Sequence, residues 1–186
     1  MSKLPKWAES GQGQWEYKGQ KRPGFAVEPK EGEESVWDYP RPPALVPDNR
    51  KLLVNYKDMV IAESTNIYRV LETASPPTVY VPTADVNKAI LSKASRNTRC
   101  EWKGIATYWN LKAKDGTLLI QDVGWSYEQP FDRFKQIAEY LCFYPHKVSC
   151  FLDNERVRPQ PGGYYGGWLT DEIVGPVKGE SNKTYL

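Results

Sequence analysis

From Ile105 to Leu111 the chain alternates as a β-strand does. Ile105, Thr107, Trp109 and Leu111 share one face, and Ala106, Tyr108 and Asn110 share the other. An aromatic stands on each face, so neither reads as a plain solvent face. Just upstream, Cys100-Glu101-Trp102-Lys103-Gly104 sets a thiol, a carboxylate, an indole and an amine side by side. Gly104 permits the backbone to turn sharply into the strand. Runs with a 3.6-residue period are scarce by comparison. The chain must nevertheless bury seven Trp, twelve Tyr and five Phe among 186 residues. Each such ring buries roughly 150–250 Å², and a sheet is the natural host for them.

Other stretches repeat the strand pattern. Lys51–Tyr56 and Met59–Ser64 read as two strands joined near Lys57-Asp58, and Asn66–Glu72 as a third. Glu63 and Glu72 fall at strand ends, where a carboxylate can enter a pocket. Ser75-Pro76-Pro77 reads as a break in the sheet, with Thr78–Val81 resuming it. Thr83 reads as the cap of a short helix that ends near Ser92, with Val86, Ala89 and Ile90 on one face. Ser92–Arg99 then reads as a polar connection. Asp115-Gly116 and Asp153-Asn154 are tight-turn pairs that close hairpins. Phe131–Ile137 suggests a helical turn, and Ala138–Tyr144 a strand.

Residues 1–50 are rich in Gly, Pro and charge, yet hold Trp7, Trp15, Tyr17, Phe25, Trp37 and Tyr39. A disordered tail seldom carries so many rings. The expected organisation is an N-terminal arm over residues 1–35, anchored by its rings, and one domain over residues 36–186. The expected fold is a single compact, mainly β, antiparallel domain with one short helix.

Composition removes several functions. A formal charge of +2 and a pI near 8.3 are too weak a bias for a nucleic-acid partner. No stretch approaches the ~20 apolar residues of a membrane-spanning helix, and the N-terminus has no apolar run of a secretory signal. Three Cys and one His, with no Cys-x-x-Cys, argue against a disulfide framework and a structural zinc. The expectation is a cytoplasmic protein without metal or cofactor.

Several long motifs stand in a recognisable order. They are Trp37-Asp38-Tyr39-Pro40-Arg41-Pro42-Pro43, Ile61-Ala62-Glu63-Ser64, Glu72-Thr73 running to Pro76-Pro77, and Cys100-Glu101-Trp102-Lys103-Gly104. Trp125-Ser126-Tyr127, Phe143-Tyr144-Pro145 and Pro159-Gln160-Pro161-Gly162-Gly163-Tyr164-Tyr165-Gly166-Gly167-Trp168 complete the series. Over about residues 35–180 the chain resembles the DUF427 family, a domain of unknown function. The resemblance implies an all-β domain similar to the β-tent folds of zinc-binding chaperone-like and sulfoxide-reductase proteins. Those relatives hold zinc with paired Cys-x-x-Cys, which this chain lacks. Some bind small ligands among Trp side chains, and that feature can carry over. The family's nucleotidyltransferase-like label finds no support, since neither a phosphate-cradling Gly loop nor a paired-Asp metal site is present. Ser75 stands where many relatives carry His.

Three chemistries compete. The first is a small-ligand pocket walled by Trp102, Tyr108, Trp125 and Tyr127, with Lys103, Arg41 and Glu63 as its polar ends. The second is a thiol site, Cys100 beside Lys103 with His146 as base. The third is a carboxylate site drawn from Glu63, Asp122 and Glu101, with acid and base roles split between them. The rival class is an interaction module, in which an aromatic patch binds a protein partner or a second copy of the chain. The residues leave binding and catalysis both open.

Overall fold

In a computed structural model, residues 4–12 and 15–180 are described. A seven-residue helix α1 (Lys6–Gln12) comes first, followed by β1 (Glu34–Ser35) and β2 (Ala44–Asp48). Four strands then run in close succession: β3 (Leu52–Tyr56), β4 (Met59–Ser64), β5 (Ile67–Glu72) and β6 (Ser75–Tyr80). The long ribbon is β7 (Leu91–Cys100), β8 (Gly104–Lys112) and β9 (Leu118–Ser126), with β10 (Leu141–Phe143) added after a 3₁₀ segment at Asp132–Ile137. Short strands complete the chain: β11 (Ser149–Leu152), β12 (Glu155–Arg156), β13 (Arg158–Pro159), β14 (Trp168–Leu169) and β15 (Ile173–Val174). The larger sheets are antiparallel, ordered β10-β9-β8-β7, β12-β11-β3-β4 and β2-β5-β6. The domain is mainly β, and no helix among the described residues is long and apolar enough to cross a membrane.

The turn chemistry works as the sequence predicts. Asp153 and Asn154 both take positive φ, 47° and 71°, which is the mirror-image turn that suits a right-twisted hairpin. Gly116 does the same at 88°, and Asp115 Oδ1 accepts the Thr117 N–H at 2.9 Å. Bulges at Val54/Asn55 and Trp109/Leu111 reset the register. Leu111 is fully buried and Trp109 packs beside it on the aliphatic core, whereas Ile105, on the same face nearer the β7–β8 turn, is exposed.

Three expectations fail, each for a physical reason. The predicted helix at Thr83–Ser92 is two 3₁₀ turns, Thr83–Asp85 and Lys88–Ile90, with no side-chain cap. Here Val86 bridges to Ala62, and the Asn87 N–H bonds Ile61 O at 2.8 Å. Pairing with β4 therefore overrides the local helical pattern. The polar run after it is the edge strand β7; its side chains look unlike a strand because this edge faces solvent. Pro76 and Pro77 do not interrupt β6. That strand is also an edge, and its register shifts opposite Val70/Glu72, so the missing N–H groups are tolerated.

β10 separates two cores. Leu141 and Phe143 join the aliphatic core with Leu52, Ile61, Val79 and Val123. Cys142 faces a second, aromatic core with Tyr80, Trp102, Tyr108, Trp125 and Tyr127. A third cluster, Trp15, Val36, Trp37 and Tyr39 with Ile173 and Val177, ties the N-terminal segment to the C-terminal one. The Trp37 Nε1–H donates to Pro176 O at 2.8 Å, and β1 pairs in parallel with β15. Within residues 1–35, Trp15 is buried in this cluster with Tyr17 packed against it, and α1 lies in the same stretch.

Candidate functional site

Cys100 and Gly104 are register partners across the β7–β8 turn, which leaves Glu101, Trp102 and Lys103 to make the connection. Gly104 has φ of +103°, a conformation that glycine adopts without the strain of a Cβ. The turn throws neighbouring side chains in different directions. Trp102 goes toward the N-terminal segment, where the Arg41 guanidinium lies 5.7 Å from its ring centroid. It borders a separate cleft with Leu4, Gln12, Pro42 and Phe131. Lys103 goes the other way, into a separate hollow of about 240 Å³.

That hollow lies between β6, the β7–β9 ribbon and the Gly-rich tail. Its walls include Tyr80, Tyr108, Trp125, Tyr127, Tyr144 and Tyr165. Trp125 is fixed from several sides. Its Nε1–H donates to Tyr80 Oη at 3.2 Å, and its ring meets Tyr144 at 4.6 Å between centroids. A Cβ on Gly166 would overlap the Trp125 ring, so glycine is what lets the tail lie flat against the indole. Gln160 closes the base of the tail loop, since its Oε1 accepts the Gly167 N–H at 3.1 Å and its Nε2 donates to Lys178 O at 2.8 Å. Tyr164 stands at the rim, 67% exposed.

Among the described residues, five charged ones border the hollow: Arg99, Lys103, Lys178, Glu72 and Glu101. Glu72 Oε1 accepts from Arg41 Nη2 at 2.5 Å, and Glu101 lies 4.0 Å from Arg41 Nη1. Lys178 Nζ sits 5.1 Å from the Trp15 and Tyr165 ring centroids. Lys103 is only 6% exposed and has no ion pair with a carboxylate among the described residues. Its Nζ lies 5.6 and 5.8 Å from the ring centroids of Phe134 and Tyr127. Burial works against its ammonium, but Cys100, Tyr80, Glu72 and Glu101 outweigh that and raise its pKa above the ordinary lysine value. Burial likewise pushes up the Tyr80 and Tyr127 hydroxyls, so both remain proton donors.

The other sequence candidates lie apart. Glu63 is exposed on β4 and pairs with Lys51 at 2.7 Å; it borders no part of the hollow. Asp122 pairs with Arg96 at 3.1 Å, so Glu63, Asp122 and Glu101 do not share a site. Cys100 lines the hollow, but His146 is exposed and stacks outside it on Tyr144, at 5.1 Å between centroids. A Cys100–His146 pair therefore has no common lining. Arg41 sits behind the hollow, over the Trp15 ring at 4.4 Å. No group of three or more His, Cys, Asp or Glu able to hold a metal occurs among the described residues.

Lys103, Tyr108, Trp125 and Tyr127 all line the hollow; Trp102 shares their aromatic core but borders the other cleft, and Arg41 and Glu63 do not line the hollow. Tyr80, Tyr144 and Lys178 are lining residues that sequence reasoning missed. The only advance sign of the tail wall is the Tyr164-Tyr165-Gly166-Gly167 run; Lys178 has no local signal.

Among curated proteins none matches the chain. A family model described as a domain of unknown function, DUF427, matches residues 44–154, well over half of the sequence. On that match, the chain belongs to the DUF427 family.

Proposed function

We propose that the protein binds a small planar ligand in the hollow bordered by Tyr108, Trp125, Tyr127 and Tyr144, with Lys103 as its innermost polar group. The observation that carries this reading is the hollow itself. The rings around Trp125 are oriented by hydrogen bonds and by Gly166, yet they leave about 240 Å³ between them. Drug-sized sites occupy roughly 300–1,000 Å³, so the space suits a guest of one or two rings. An apolar wall with a few fixed polar groups is the usual composition of such a site.

The rival reading, an aromatic docking patch, has less behind it. Trp102, Tyr108, Trp125 and Tyr127 are all buried, and a hot-spot patch needs rings that a partner can reach. A thiol reaction would need a base beside Cys100, and His146 stands elsewhere.

The test is a titration of intrinsic fluorescence with one- and two-ring planar compounds, run on the native chain and on Trp125→Phe. Saturable quenching by at least one compound, lost in the variant, supports the reading. Quenching that survives unchanged in Trp125→Phe, or none from any compound, removes it.

A further inference from the structure

Resting on that reading of the hollow, we infer that its ligand is an aromatic monocarboxylate, with the carboxylate held by Lys103 and the ring against Trp125. A lysine is almost never fully buried unless paired. Lys103 is only 6% exposed, lines the hollow and lies over two aromatic faces, and no carboxylate is within ion-pair distance of it among the described residues; Glu72 and Glu101 act on it from farther off. Three N–H donors on a desolvated cation call for an acceptor that also carries charge. Water supplies the acceptor without the charge.

The surroundings narrow the class of anion. Glu72 and Glu101 border the same space. Arg41 bonds Glu72 from behind but stands 4.0 Å from Glu101. Arg99 and Lys178 border the space as well, so the rim carries both signs; Glu72 and Glu101, which act on Lys103 itself, repel the second charge of a dianion such as a phosphate ester more than the single charge of a carboxylate. The Gly-rich tail offers no substitute cradle for phosphate, because Gly166 and Gly167 are pressed onto Trp125, Gln160 and Pro76. The second carboxylate oxygen has a donor available. Tyr80 Oη already accepts from the Trp125 Nε1–H, which leaves its own hydrogen to donate, and Tyr80 borders the hollow. One indole thus orients a phenol and also supplies the flat wall for the ring.

The probes are benzoate, benzamide and phenyl phosphate, titrated calorimetrically at neutral pH into the native protein and into Lys103→Met. Benzoate is expected to bind at least about tenfold more tightly than benzamide, and more tightly than phenyl phosphate. In Lys103→Met, with folding verified by its melting curve, benzoate loses its advantage while benzamide binding persists. Equal binding of benzoate and benzamide by the native protein overturns the carboxylate assignment and leaves the ring pocket standing. Tighter binding of phenyl phosphate overturns the monoanion. Failure of all three at millimolar concentration removes both the pocket and its ligand class. The comparison within the native protein decides the matter even if the variant does not fold.

Discussion

β5 carries a charged residue into each of two very different settings. At Arg69 every neighbouring charge is matched. Arg69 donates to Glu34 at 3.0–3.2 Å, and its Nε lies 3.1 Å from Asp48, within ion-pair range though off the hydrogen-bonding axis. Arg50 bonds Asp48 and also Glu172 at 2.6 Å, and the Tyr39 hydroxyl donates to Glu34 at 2.7 Å. Three positions further on, Glu72 borders the hollow, where Lys103 has no carboxylate partner among the described residues. Arg41 there leaves Nε and Nη1 without hydrogen-bond acceptors. The first cluster joins the N-terminal segment, β2, β5 and the tail, and its charges are used up in doing so. The second holds charge in reserve beside an open space. Similar residue types therefore do different work: matched charges fasten the fold, and unmatched ones are available to a guest.

Arg69→Met tests the fastening side and should have the largest effect. It strands Glu34 and Asp48 with less positive charge, and losing one member of a partly buried pair costs about 3 kcal/mol; chemical denaturation measures it. The same variant should lose part of the acid limb of the stability curve. Burial disfavours both carboxylates, but Arg69 and then Tyr39 hold the Glu34 pKa below the ordinary range, and Arg50, with a smaller contribution from Arg69, does the same for Asp48. A lowered folded pKa gives stability that is present above the unfolded value of about 4 and is lost as pH falls through the folded value. The native protein should therefore weaken more steeply below about pH 4 than Arg69→Met does.

Gly166→Ala comes next. Its methyl overlaps the Trp125 ring, and such overpacking costs about 1–3 kcal/mol. A shifted tryptophan emission maximum should accompany the loss, because the ring that moves is the one facing the hollow. The smallest change in stability belongs to Lys103→Met. Lys103 forms no ion pair among the described residues, so an apolar chain of similar length gives up only the longer-range attraction of Glu72 and Glu101 and is relieved of burying the ammonium; the net change should stay within about 1 kcal/mol. If Lys103→Met destabilises as much as Arg69→Met, the distinction between fastening and available charge collapses.

Most of the sheet is legible in the sequence because its signals are local. Leu52–Tyr56, Met59–Ser64 and Ile67–Glu72 carry strand patterns, and Asp115-Gly116 and Asp153-Asn154 carry turn chemistry. The edges are where the reading fails. β7 is polar because it is an edge, β6 tolerates two prolines for the same reason, and Val86 is drawn from a helical pattern by its bridge to Ala62. The hollow is half legible. Lys103, Tyr108, Trp125 and Tyr127 lie on one ribbon, so proximity in sequence becomes proximity in space. Trp102 shares their core but not the hollow, because one tight turn sends it and Lys103 to different clefts. Glu63 belongs to another sheet. Tyr80, Tyr144 and Lys178 arrive through long-range packing that no local pattern announces.

The parallel pairing of β1 with β15 bears on how the family's boundaries should be used. A fragment cropped to residues 44–154 would keep Lys103 and Trp125 but discard Trp37, Arg41, Gly166, Trp168 and Lys178. It would bare the aliphatic core where Trp168 donates to Phe143 O at 3.0 Å, and would strip one side from the hollow. Anyone screening this family for ligands with minimal domains would be assaying a vessel with its back removed.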